Sequence, residues 1–210
     1  MQLEKCAGVI LAGGLNTRFD GLPKAFITVG GETILKRIYN VFCNLFDEII
    51  LVTNEPLLYL DWDVHIVTDL FPIRSSLTGI HTGLFYANRP YVFFTACDTP
   101  FLKRELVETV IQTMRPGFDV AMPATADGLE PLCAVYSKRC LEAAARNVKR
   151  NKLKIQRVFR KSRILTIPET VLRGSDAHLD SFFNINTPAD LVRAEVMLST
   201  SGSRLIDANG

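Results

Sequence analysis

The sequence predicts a single-domain, three-layer α/β protein with a mostly parallel, doubly wound central sheet. Two observations carry that prediction. Short apolar runs alternate with helical patterns along the 210 residues, and the runs are apolar throughout rather than at every second position. Strands covered on both faces read that way, and strand–helix alternation implies right-handed crossovers over both faces of a parallel sheet. The length suits one such core. The domain is expected over residues 1–198. Residues 199–210 (STSGSRLIDANG) are small, polar and unpatterned, and are expected to form a flexible tail.

The strand candidates are Cys6–Leu11 (CAGVIL), 48–53 (EIILVT), 64–68 (VHIVT), Tyr91–Ala96 (YVFFTA), 119–122 (DVAM) and 132–136 (LCAVY). Between them, residues 33–45 place Ile34, Ile38 and Phe42 on one helical face, and 76–87 do the same with Leu77, Ile80 and Leu84. Ser76 is the expected N-cap of the second of these. Residues 103–114 and 188–198 complete the set, the last with Thr187 as N-cap and Pro188 at the first helical position.

Composition bounds the function. Charged residues make up 22% of the chain and the formal net charge is +2, so no global field draws the protein to nucleic acid or membrane. Five widely spaced cysteines, without a C-x-x-C pair, suggest neither a disulfide framework nor a zinc site. They fit a reducing cytoplasm, most of them as small buried hydrophobes. No signal peptide is expected at the N-terminus, and no apolar run approaches the roughly 18 residues of a membrane span.

Ligand crevices in open α/β sheets lie at the carboxyl ends of the strands, and polar residues recur at those ends here. After the first strand comes LAGGLNTRFDGLPKAF, residues 11–26. It has neither Walker A nor G-x-G-x-x-G spacing. Its adjacent Gly13 and Gly14 would let backbone N–H groups approach a phosphate or base, while Arg18 and Lys24 would grip phosphate oxygens. The competing reading is a tight turn with two surface cations. Asp98, at the end of YVFFTACDTPFL, could hold Mg²⁺ through one oxygen and leave the other positions to phosphates and water, or it could merely cap the following turn. Thr53-Asn54 and Thr68-Asp69 close two further strands. Packing alone does not explain so many polar residues at one end of a sheet.

The order LAGG, Arg18, Lys24, CDTPFL, PLCAVYS (131–137) and FFNINTPADL (182–191) resembles the molybdenum cofactor guanylyltransferase family, over roughly residues 6–198. That resemblance implies a Rossmann-like nucleotidyltransferase fold and an Mg²⁺-dependent transfer of GMP from GTP to the phosphate of molybdopterin, with release of pyrophosphate. It implies that Leu11, Ala12, Gly13 and Gly14 contact the guanine nucleotide, and that Lys24, helped by Arg18, neutralises the triphosphate. Asn54 and Asp69 match nucleotide-binding positions, Asp98 the Mg²⁺ ligand, and Asn184 and Asn186 positions near molybdopterin or the reaction centre. Implied partners are GTP, molybdopterin and other proteins that make or receive the cofactor. There are two departures. Ser75-Ser-Leu-Thr-Gly79 stands where the family carries Gly-Pro-Leu-Ala-Gly, and Pro23 precedes Lys24, a pairing common in other nucleotidyltransferases. The alternatives are therefore a cytidylyl- or sugar-phosphate nucleotidyltransferase, or a non-catalytic nucleotide-binding relative.

Residues 138–163 hold 11 of the 24 Lys and Arg against one acidic residue, Glu142. A solvated helical pair with Leu141, Ala145 and Val148 facing inward is the first expectation. A positive rim for an anionic substrate ranks second and nucleic-acid binding a distant third. His65, His81 and His178 fall in no catalytic string and are expected to be structural, as is Cys97.

Overall fold

The computed structural model describes residues 3–13, 21–159 and 162–207. In chain order, β1 (Cys6–Leu11) is followed by a 3-10 turn at Lys24–Phe26, a two-stranded hairpin of β2 (Thr28–Val29) and β3 (Glu32–Thr33), and α1 (Ile34–Cys43). β4 (Ile49–Val52), β5 (His65–Val67), α2 (Ser76–Tyr86), β6 (Tyr91–Ala96) and α3 (Arg104–Thr113) continue the alternation. β7 (Val120–Thr125), β8 (Gly128–Leu129) and β9 (Cys133–Ser137) come next. They are followed by α4 (Leu141–Lys149), α5 (Ile155–Val158), β10 (Ile164–Pro168), α6 (Glu169–Leu172) and α7 (Pro188–Asp207).

The main sheet runs β10-β7-β9-β6-β1-β4-β5, with β8 paired to β7. β1 lies parallel between β4 and β6, and β4–β5 and β7–β10 are also parallel. β9 alone on the main path runs the other way, antiparallel to both β6 and β7. The chain between Thr125 and Cys133 is too short for a crossover helix, which takes about a dozen residues, so β9 must return antiparallel. The expected mostly parallel three-layer α/β sheet is therefore present, with one reversed strand in it. Strand order reverses at β1: the chain builds β4 and β5 on one side before crossing to β6 on the other.

Side chains alternate between two cores. Cys6, Ile10, Leu51 and Phe93 pack under α1, α3 and the start of α7; Val9, Ile50, Val52 and Phe94 pack under α2 and α4. Burying both faces of β1 and β6 is what makes those runs continuously apolar. At about 25 cal/mol per Å² of apolar surface removed from water, these large side chains are the main source of stability.

Several boundaries differ from expectation. Ser75, not Ser76, caps α2, its Oγ accepting the Thr78 N–H at 3.1 Å. Helix α7 continues to Asp207 and so passes the expected start of a tail at 199. Its start is as expected: Thr187 Oγ1 accepts from Asp190 N at 3.2 Å, and Asp190 Oδ2 accepts from Thr187 N at 2.9 Å, a reciprocal cap. In the basic segment α4 turns Ala144 and Val148 inward, with Ala145 only partly buried. Arg146, Lys149, Arg150, Lys152, Lys154 and Arg157 are exposed, as a solvated pair requires.

One polar latch fixes the strand-end loops. Lys103, at the N-cap of α3, donates to Asp176 Oδ1 at 2.6 Å and Asp180 Oδ2 at 3.0 Å, and the Asp176 side chain is fully buried. Burial alone would raise the Asp176 pKa, but the Lys103 ammonium and the Ser181 N–H and hydroxyl outweigh it and hold the pKa below the usual value. Removing Lys103 strands a buried carboxylate. Lys103→Met is expected to cost about 2 kcal/mol, below the 3–5 typical of fully buried pairs because the lysine is partly solvated. A chemical denaturation midpoint within error of wild type would contradict this.

Candidate active site

The carboxyl ends of β1, β4, β5 and β6 carry the expected site residues Leu11, Ala12, Gly13, Asn54, Asp69 and Asp98. Cys97 N donates to Leu11 O at 3.1 Å and Ala12 N to Val52 O at 2.8 Å, so the 11–13 segment is sutured between the ends of β6 and β4. The side chains form two clusters on either side of it.

The first cluster is Lys24, Asp98 and Asn186. Pro23, with φ −59° and ψ 132°, opens the 3-10 turn Lys24–Phe26, and its carbonyl accepts the Phe26 N–H at 2.9 Å. The ring's fixed φ is suited to that geometry, so Pro23 positions Lys24. From there the ammonium donates to Asp98 Oδ2 at 3.0 Å and Asn186 Oδ1 at 2.7 Å. The 184–186 strap is held by Ile185, fully buried, whose N–H donates to Asp98 O at 2.9 Å. Asp98 is therefore no cap of the following turn; its Oδ2 faces the lysine. Its Oδ1 is buried and has no hydrogen-bond partner among the described residues.

The second cluster is Asn54 and Asp69, joined by an Asn54 Nδ2 to Asp69 Oδ2 bond of 2.9 Å. Burial raises the Asp69 pKa, with hydrogen bonds from Asn54 and Thr82 and the nearby Arg74 pulling the other way. Asp69 Oδ1 is likewise buried without a partner among the described residues. An ideal Cβ on Gly13 would sit 3.6 Å from Asn54 Nδ2, an ordinary contact. The protein's own packing thus does not demand glycine there.

Asn184 behaves differently from Asn186. Its amide donates to Phe182 O at 2.9 Å, and it lines a neighbouring cleft rather than joining Lys24. Gly14 and Arg18 lie outside the described residues.

The altered Ser75–Gly79 segment has its own support. Ser75 Oγ also lies 2.9 Å from Thr78 Oγ1, which donates to Ile73 O at 2.7 Å. These two hydroxyls tie down the turn ahead of α2, a rigidifying role that sequence reading did not assign them. Gly79 packs closely on the β1 end: a Cβ there would meet Leu11 Cδ2 at 3.0 Å, so a larger residue needs the leucine to shift. Ser75→Ala is expected to lower stability by about 1 kcal/mol through loss of the cap, read as a shifted denaturation midpoint; an unchanged midpoint would show the cap to be redundant.

Neither the buried thiols nor His65 and His81 offer a nucleophile or base at this site. Cys97 is buried, its thiol pushed up to about 12 by burial and by the neighbouring Asp98 carboxylate, against a smaller opposing effect of Lys24. Cys6, Cys133 and Cys140 are also buried, whereas Cys43 is exposed. His81 is buried edge-on to Phe71, 4.8 Å between ring centroids, and burial lowers its pKa. His65 packs edge-on against Tyr86.

The residues fit a single Mg²⁺ position. Among the described residues no group of three or more His, Cys, Asp or Glu side chains could hold a metal alone. One unpartnered carboxylate oxygen is available at Asp98, and Mg²⁺ is commonly held by one or two carboxylates plus substrate phosphates and water.

A mostly parallel sheet whose strand ends gather a lysine, a carboxylate and polar side chains beside Gly13 suits an α/β enzyme that handles a nucleotide, and the match to a nucleotidyltransferase family model gives that class. The model of the MobA-like NTP transferase domain matches residues 8–165. A molybdenum cofactor guanylyltransferase of Desulfosudis oleivorans is 43% identical over 196 residues, covering 93% of this chain and 97% of that protein. The crystal structure of molybdopterin-guanine dinucleotide biosynthesis protein A from Archaeoglobus fulgidus superposes with a TM-score of 0.82 at 27% identity, over 92% of this chain and 99% of that one. The 2-C-methyl-D-erythritol 4-phosphate cytidylyltransferase of Thermus thermophilus shares the fold, with a TM-score of 0.67 at 19% identity over 91% and 97% of the two chains. The chain belongs to the molybdenum cofactor guanylyltransferases, within the MobA-like NTP transferases.

Proposed function

We propose that the chain transfers GMP from GTP to the terminal phosphate of molybdopterin, forming the molybdopterin guanine dinucleotide cofactor. An oxygen of the acceptor phosphate forms the new bond to the α-phosphorus. The bond from that phosphorus to the β-phosphate bridging oxygen breaks, and pyrophosphate leaves with the electron pair. The observation that supports this most is the joining of Lys24, Asp98 and Asn186, with the second Asp98 oxygen buried and unpartnered.

Such a transfer needs positioning and charge neutralisation more than covalent help. In this reading Leu11, Ala12, Gly13 and Gly14 present backbone to the nucleotide, which is a reason for glycine at 13 that the packing does not supply. Asp69 accepts from a hydroxyl or amino donor of the nucleoside, with Asn54 fixing its orientation. Lys24 and Arg18 neutralise the triphosphate, and Asn186 holds the Lys24 ammonium in place. Asp98 holds Mg²⁺, which when bound supplies Lewis-acid neutralisation of phosphate charge. A phosphate monoester has a second pKa near 6, so the acceptor is largely ionised at neutral pH and needs no strong general base. That agrees with the structural settings of His65 and His81.

We place the reaction in the cytoplasm, where five free thiols are at home. No described helix is long and apolar enough to cross a membrane. The product would pass to proteins that carry the dinucleotide cofactor; nucleic acid has no part in this reading. The test is a pyrophosphate-release screen with Mg²⁺ and each of the four NTPs, with and without molybdopterin. GTP-specific, molybdopterin-dependent release is expected. Release with CTP instead would make the chain a cytidylyltransferase, and release with no NTP would contradict catalysis.

A further inference from the structure

The ammonium of Lys24 takes its two partners from different stretches of chain. Asp98 belongs to the segment after β6, and Asn186 to the strap ahead of α7. Their spacing is therefore set by how those two stretches lie on each other.

The stretches run side by side in opposite directions and are fastened at intervals. At the site end, Ile185 N donates to Asp98 O at 2.9 Å. Further along, Phe183 rests on Phe101, ring centroids 5.9 Å apart. At the far end stands Ser181, which is fully buried. Its Oγ accepts the Lys103 N–H at 3.0 Å and lies 3.3 Å from Phe101 O. Its own N–H donates to Asp176 Oδ2 at 2.8 Å, and Asp176 is in turn held by the Lys103 ammonium. Both stretches thus close on one small hydroxyl. Past Ser181 the strap is anchored again by Asp190 Oδ2, which accepts from the N–H groups of Asn186 and Thr187 at 3.1 and 2.9 Å.

An apolar contact would also hold the two stretches together, but it would not fix their register. Dispersion contacts are non-directional, whereas a hydrogen bond weakens steeply when it is misaligned. Group transfer has little tolerance for such sliding, since about 1 Å of misplacement can cost about 10²-fold in rate. We propose, resting on the transfer reading above, that Ser181 is a positioning residue for that reaction. It fixes the register of residues 181–186 against 98–103, and through Asn186 it aims the Lys24 ammonium beside Asp98. Its part lies in the chemical step rather than in binding. Without the hydroxyl, Lys24 keeps Asp98 and the triphosphate meets the same charge, held less firmly in line.

The experiment is steady-state pyrophosphate release by the full chain with GTP, molybdopterin and Mg²⁺, for wild type, Ser181→Ala, Asn186→Ala and the double variant. Val148→Ala, in α4 and in the other core, is the stability control. Ser181→Ala is expected to lower kcat about tenfold and to leave the KM for GTP within about twofold. Val148→Ala is expected to lower the melting temperature at least as much and to keep kcat. Because Ser181 acts through Asn186, the double variant is expected to lie within about twofold of Asn186→Ala alone, rather than at the product of the two losses. Should the alanine variant not fold, Ser181→Cys, of similar size with a weaker donor and acceptor, carries the same comparisons with a kcat loss of about threefold. A Ser181 variant with wild-type kcat, an equal fall in Val148→Ala, or multiplied losses in the double variant would overturn the role of Ser181 and leave the transfer reading standing. Wild-type protein with no molybdopterin-dependent turnover would overturn that reading itself, and this inference with it.

Discussion

Asp98→Asn is expected to lower kcat by about 10²–10³-fold, the scale seen when one group stabilising transition-state charge is removed. The substitution is nearly isosteric and keeps one oxygen, so it isolates the charge. Asp98 Oδ1 is buried without a hydrogen-bond partner among the described residues, while Oδ2 is held by Lys24 at 3.0 Å. A buried, unpartnered carboxylate oxygen costs folding free energy, so its value has to lie in what it binds. Neutralising it is therefore expected to change stability by less than about 1 kcal/mol, since Lys24 keeps Asn186 and both charges are about a fifth exposed. The variant should also need more Mg²⁺ for half-maximal rate. A melting temperature close to wild type combined with a collapsed rate is the expected signature. Near-wild-type turnover at the same Mg²⁺ concentration would remove Asp98 from the reaction.

How much of this was legible in the sequence depended on burial and on distance along the chain. β1 and β6 match the expected bounds residue for residue because both are covered on both faces, which leaves an unbroken apolar run. β10 escaped notice because it is an edge strand with mixed burial ending in Pro168, and edge strands lack that signal. The reversal of β9 is written in the shortness of the chain before it rather than in its composition, and LCAVY reads alike in either direction. β2 and β3 are two residues each, below the reach of any period.

At the site, residue types at strand ends pointed to phosphate chemistry, but no spacing rule joins Lys24 to residues 74 and 162 positions away. Only folding brings them together, and only the family resemblance ranked Asn184 and Asn186 beforehand. The structure then separates the two: Asn186 meets the lysine while Asn184 faces the cleft. Pro23, an anomaly beside the family pattern, becomes intelligible as the residue that starts the turn presenting Lys24. Ser75-Ser76 stand where the family pattern carries Gly-Pro ahead of α2. Hydrogen bonds from Ser75 and Thr78 to the turn show instead a different way of fixing it.

Lys24→Ala is the second large effect expected, a fall in kcat/KM for GTP of about 10²–10³-fold. The ammonium sits between two oxygens at 3.0 and 2.7 Å, in a side chain only 22% exposed, so its position is set before substrate arrives. Prepositioned charge acts without reorganisation at the moment of transfer, which is why its loss costs more than a surface cation would. Arginine is not expected to substitute. Its guanidinium is a broad planar fork, whereas the space between Asp98 and Asn186 is shaped for a compact point charge. Lys24→Arg should therefore recover at most about a tenth of the lost rate. The alanine variant also leaves the Asp98 carboxylate without a hydrogen bond among the described residues and removes the Lys24 contact of Asn186, so the KM for molybdopterin should rise together with that for GTP. A Lys24→Ala enzyme within about tenfold of wild type on both substrates would mean that the triphosphate is neutralised elsewhere.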